Sequence, residues 1–231
     1  MSHTNHLSRT LNLTRRILQL VVGLFLYGFS IGMMVRAGLG VGPWDVLTQG
    51  LALQTGWSFG LLTNVIGACV LLLWIPIRQK PGIGTVVNVF VIGPSAEVGL
   101  FIVPAQTTLA LQVALFAGGL ALLAVATGLY IGARMGPGPR DGLMTGIHKR
   151  WGFKIWTVRT AIEVSVLAVG WLLGGTVGFG TLAFALLIGP MVGFTIPLLR
   201  VPEIAPYRSP SLRSTKTRSA SRTNVAPVTP P

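Results

Sequence analysis

The chain predicts an all-α polytopic membrane protein of six transmembrane helices, arranged as two inverted three-helix repeats. Three observations lead there. Of its 231 residues, 51% are hydrophobic and only 10% charged, whereas about a quarter of a soluble domain is charged. Six apolar runs approach the roughly 20 residues that cross a bilayer. The chain also matches itself at a shift of 96 positions: Gly40, Gly42, Pro43, Asp45 and Gly50 fall on Gly136, Gly138, Pro139, Asp141 and Gly146. Further on, Gly82, Gly84, Thr85, Gly93 and Pro94 fall on Gly178, Gly180, Thr181, Gly189 and Pro190. One offset serves both clusters, the mark of an internal duplication.

The elements follow in order. Residues 1–14 form an N-terminal segment with Arg9 as its charge. Arg15 and Arg16 then precede an apolar run over 17–35, longer than a signal-peptide core and with no small-residue cleavage site after it. It reads as a retained first span. The remaining spans fall at 59–77, 83–103, 109–133, 155–173 and 179–199. The first repeat is 15–104 and the second 105–200. Between the first two spans of each repeat lies a short helix, at 43–54 and 139–150. At about 1.5 Å per residue neither can cross, so each is interfacial or re-entrant. Residues 201–231 are rich in Pro, Ser, Thr and Arg and read as a disordered basic tail.

Loop charge orients the stack. Arg78 and Lys80 follow span two, and Arg134, Arg140, Lys149, Arg150 and Lys154 follow span four. The loops after spans three and five carry no Lys or Arg. The positive-inside rule then places both termini in the cytoplasm, with only Arg36 against it. Three spans per repeat make the second repeat inverted. The net charge of +13 is topology signal and attraction to anionic lipid, not a nucleic-acid surface. The expected location is the plasma membrane.

Three features carry candidate chemistry. The turn Gly-x-Gly-Pro-x-Asp occurs twice, ending in Trp44-Asp45 and Arg140-Asp141. Pro opens a helix without loss, and Asp meets the positive end of its dipole. The aspartates either cap these helices or line a solute path. Second, Gly93-Pro94 and Gly189-Pro190 each lie about ten residues into a span, near the midplane. Paired breaks at matching positions point to a transporter site, or to packing kinks where glycine lets helices approach. Third, four of the five acidic residues, Asp45, Glu97, Asp141 and Glu163, lie at or inside the membrane, where ionisable groups are costly and suggest function. Arg159 stands four residues before Glu163, spaced for an ion pair. Asn64 and Thr160 match across the repeats as polar glue or lining. The six tryptophans fall mostly near span ends, as an aromatic belt does. Cys69 reads as a buried apolar residue, and no disulfide is possible within one chain. The three histidines are too scattered for a metal site, and no cofactor is implied.

The segment RAGLGVGPWDVLTQGLALQTGWSFG at 36–60 resembles the YczE-like group of bacterial integral membrane proteins, related to the YyaS and YitT proteins. The second-half turn at 135–146 and the stretch 178–190 are similar to the same family. The resemblance implies a multi-span plasma-membrane protein and supplies no substrate. The function expected from the repeat is a small-solute or ion transporter or channel, with its site at the repeat interface. Trp44, Asp45, Gly93, Pro94, Glu97, Arg140, Asp141, Glu163, Gly189 and Pro190 are the candidate path residues. The alternative is an accessory or scaffold protein assisting a partner. An enzyme is not expected, because no nucleophile–base or metal-ligand set stands at usable spacing. Expected partners are the lipid bilayer, the solute, and a second copy or another protein.

Overall fold

A computed structural model describes the backbone of residues 2–201 and the side chains of residues 12–201. The expected tail at 201–231 lies outside the described residues but for Val201, as do the side chains of the N-terminal segment up to residue 11. Among the described residues the helices are α1 (Ser2–Ala37), α2 (Pro43–Thr55), α3 (Phe59–Leu72), α4 (Trp74–Ile77), α5 (Ile83–Ile102), α6 (Leu109–Gly132), α7 (Pro139–Trp151), α8 (Ile155–Leu172) and α9 (Phe179–Leu199), with no strand. Six segments are long and apolar enough to span a membrane, the second being α3 and α4 together. Their bounds match the sequence expectation to within one residue. The exception is the first, which begins at Asn12.

The helix starts recur at the sequence offset. Pro43 and Pro139, Phe59 and Ile155, and Ile83 and Phe179 each open a helix 96 residues apart. Both short helices are entered from an extended glycine, Gly42 and Gly138, and left through a left-handed one, Gly56 and Gly152. All the described positive-φ residues fall into four pairs at that spacing: Gly38 and Arg134, Gly40 and Gly136, Gly56 and Gly152, Arg78 and Gly174.

Contacts recur as well, and several are exchanged between halves. The carbonyl of Met135 accepts from the Gly84 N–H at 2.9 Å, and that of Leu39 accepts from the Gly180 N–H at 2.8 Å. Each turn thus docks on the first residues of a helix in the other half. Likewise α2 packs on α8, and α7 packs on α3 and α4. The centre is the α1–α6 pair, where helices come close over small residues. A Cβ on Gly23 would stand 2.7 Å from the Tyr130 nitrogen, and one on Gly119 would stand 2.8 Å from Met34 Cγ. Large apolar side chains such as Phe90, Phe101, Leu172, Phe179 and Phe194 point outward, as lipid requires. Cys69 is also exposed, along an apolar groove between α3 and α8. It is not the buried residue expected, because in lipid an outward face is as apolar as a core.

One feature breaks the correspondence. α3 packs along α5, but α8 does not pack along α9 in the same way. In the first pair Glu97 Oε1 accepts from the Gly60 N–H at 2.6 Å. Asn64 Oδ1 accepts from the Gly93 N–H at 3.0 Å. The equivalent residues of the second pair are Trp156 and Thr160 on α8, which are exposed, and Gly189 and Gly193 on α9, which face open space.

Candidate solute site

Two cavities flank the tyrosines Tyr27 and Tyr130, whose rings meet edge-on at 5.7 Å. The smaller is about 60 Å³ and the larger about 150 Å³. Both are lined by Tyr27, Tyr130, Arg140 and Asp141. Their other walls correspond at the 96-residue offset: Thr63, Gly67, Asn88 and Ile92 of the smaller match Arg159, Glu163, Phe184 and Ile188 of the larger. The larger one therefore lies between the unpacked helices α8 and α9.

The short helices aim their first turns at these cavities. Asp141 Oδ2 accepts from the Tyr130 hydroxyl at 2.9 Å. Asp45 is 3% exposed, and its Oδ1 accepts no hydrogen bond among the described residues. Arg140 Nη2 lies 4.0 Å from that oxygen. This is close enough for attraction and too far for a hydrogen bond. The Arg140 guanidinium lies over the Trp44 ring, 4.9 Å from its centroid, a cation–π contact. Trp44 is 8% exposed, and its Nε1–H also finds no acceptor among the described residues. Burial pushes the Asp45 carboxyl up to about 6 while Arg140 pulls the other way; desolvation outweighs the attraction. On the far wall Arg159 Nε donates to Glu163 Oε1 at 2.9 Å, the expected ion pair.

Of the expected path residues, Trp44, Asp45, Arg140, Asp141, Glu163 and Gly189 line the larger cavity. Gly93, Pro94, Glu97 and Pro190 do not. Gly93 and Glu97 instead join α5 to α3. Tyr27, Tyr130 and Arg159 join the site without having been singled out for it; a tyrosine inside an apolar span was the signal available. Trp44 and Trp74 are not belt residues. Trp74 is buried and donates from Nε1 to the Pro139 carbonyl at 3.0 Å. Among the described residues no group of three His, Cys, Asp or Glu side chains could hold a metal ion.

Six apolar helices around a buried polar cluster define a multi-helix membrane protein. The chain belongs to the family of unknown function DUF6198, whose profile matches residues 14–197. It is 39% identical over 189 residues to an uncharacterised protein of Haemophilus influenzae, covering 81% of this chain and 86% of that one. It is also 32% identical over 177 residues to the uncharacterised membrane protein YczE of Bacillus subtilis, covering 76% and 82%. The uncharacterised protein YyaS of the same organism is 25% identical over 182 residues, covering 77% and 90%. No solved structure matches the chain.

Proposed function

We propose that the protein moves a small solute across the plasma membrane, unmodified, by exchanging the packing of two inverted repeats. One observation carries this reading: two cavities with corresponding walls share one polar cluster, and only the smaller lies beside a sealed helix pair. An inverted repeat whose halves adopt different packings has two states related by the pseudo-twofold axis between the halves, and swapping the packings moves the opening from one face to the other. With both termini in the cytoplasm, the sealed contacts of α3 with α5 lie in the outer half of the bilayer. The gap between α8 and α9 lies in the inner half, so this arrangement faces inward.

In the opposite state α8 closes on α9, with Trp156 and Thr160 laid over Gly193 and Gly189, while α3 parts from α5. A disulfide tests it. In a Cys69→Ala background, Trp156→Cys with Gly193→Cys brings two sulfurs together only when the second pair closes. The reading expects cross-linking in native membranes under mild oxidation and loss of solute uptake once cross-linked. Absence of cross-linking in folded protein under every solute condition contradicts it.

A further inference from the structure

Resting on that reading, the larger cavity also carries information about what it holds. Two polar atoms on adjacent residues are buried and unpartnered: the Trp44 Nε1 donor and the Asp45 Oδ1 acceptor. A buried donor or acceptor left unmade costs about 1–3 kcal/mol, and such groups mark a missing partner. Both residues line the larger cavity. A solute in this cavity that satisfies both offers a donor to the carboxylate and an acceptor to the indole.

Charge narrows the class. The lining carries three carboxylates, Asp45, Asp141 and Glu163, and two guanidinium groups, Arg140 and Arg159. Glu163 is held by Arg159 and Asp141 by the Tyr130 hydroxyl. Arg140 stands off from Asp45 and over Trp44. One formal negative charge is left over. Arg140 faces Asp45 at 4.0 Å and Asp141 is held only by a neutral hydroxyl, so the excess is shared by these two carboxylates, and Asp45 Oδ1 is the oxygen left without a hydrogen bond. A buried excess charge needs a counter-charge. An inorganic cation satisfies the carboxylate but accepts nothing from an indole N–H. A neutral polyol pairs with both atoms and leaves the charge unbalanced. We infer that the larger cavity binds a small organic ammonium that also carries a neutral hydrogen-bond acceptor, a hydroxyl or carbonyl. Its ammonium donates to Asp45 Oδ1 and its acceptor takes the Trp44 N–H. At about 150 Å³ the cavity has room for a solute the size of a small amino acid.

The test is thermal stability of the purified full chain in detergent, at constant ionic strength set with potassium chloride. Four probes are titrated: ethanolamine, glycine, ethylene glycol and sodium chloride. Ethanolamine is expected to raise Tm saturably, and the other three are not. Asp45→Asn, which keeps the shape, is expected to weaken the ethanolamine response about tenfold or more, the scale of a hydrogen bond to a charged group. Trp44→Phe weakens it less. A flat ethanolamine titration on folded protein overturns the assignment. So does an equal response to sodium or ethylene glycol, or an unchanged response in Asp45→Asn. A larger response to glycine replaces the cation with a zwitterion and equally overturns it. None of these outcomes bears on whether Trp156→Cys and Gly193→Cys cross-link, so the solute class and the transport reading fail separately.

Discussion

Gly189→Ala separates the stability of this state from the ability to leave it. Gly189 lies inside α9 with nothing within 4 Å of where a Cβ would sit. Replacing a mid-helix glycine with alanine stabilises a helix by roughly 0.5–1 kcal/mol, so Tm should hold or rise. The cost appears only when α8 closes on α9. The equivalent glycine of the sealed pair, Gly93, shows what happens there: an added Cβ would overlap Asn64 Oδ1 and the Gly60 carbonyl oxygen. Overpacking of that kind costs about 1–3 kcal/mol, which lowers the closed population about fivefold to 150-fold. The assay is the initial rate of disulfide formation between Trp156→Cys and Gly193→Cys, with and without Gly189→Ala, alongside Tm. The reasoning fails if the cross-linking rate is unchanged, or if Gly189→Ala destabilises the protein by more than about 1 kcal/mol.

Three further outcomes follow from the same geometry. Glu97→Ala removes the charge-assisted bond to the Gly60 N–H, worth about 1.5–3 kcal/mol. It should speed cross-linking of the α8–α9 pair about tenfold, with Glu97→Gln intermediate. Gly142→Ala drives a Cβ into the Trp74 ring and should lower stability by about 1–3 kcal/mol, read as a fall in Tm. Ethanolamine stabilisation should fade as pH drops through about 6, where the Asp45 carboxyl takes up a proton and its pull on an ammonium ends. The folded protein favours that protonated form, so Tm without ligand should not fall over the same range on account of Asp45.

The spans were legible because crossing a bilayer demands length and apolarity, and both can be read off a chain. The Pro43 and Pro139 helix starts were legible because proline at a first turn follows glycine in both copies. What stayed hidden is which apolar face meets protein and which meets lipid. Cys69 and Val70 are neighbours in one apolar run, yet the first is exposed and the second buried. The gap between α8 and α9 was hidden for the same reason. Thr160 matches Asn64 in position, but Asn64 grips the opposite helix and Thr160 does not. The aspartates were found by their cost in a membrane. Their different fates, Asp141 hydrogen-bonded and Asp45 Oδ1 without a hydrogen bond, depend on Tyr130, which belongs to another helix.

The exchange of packing is tested most directly by spin-label distances in lipid nanodiscs. Leu61 with Val98 reports on α3 and α5, and Thr157 with Phe194, 96 residues on, reports on α8 and α9. All four positions are exposed. The account predicts two distances for each pair, with added ethanolamine changing their proportions so that one pair closes as the other opens. A single short distance for the first pair and a single long one for the second, unmoved by ethanolamine or by Gly189→Ala, would contradict it.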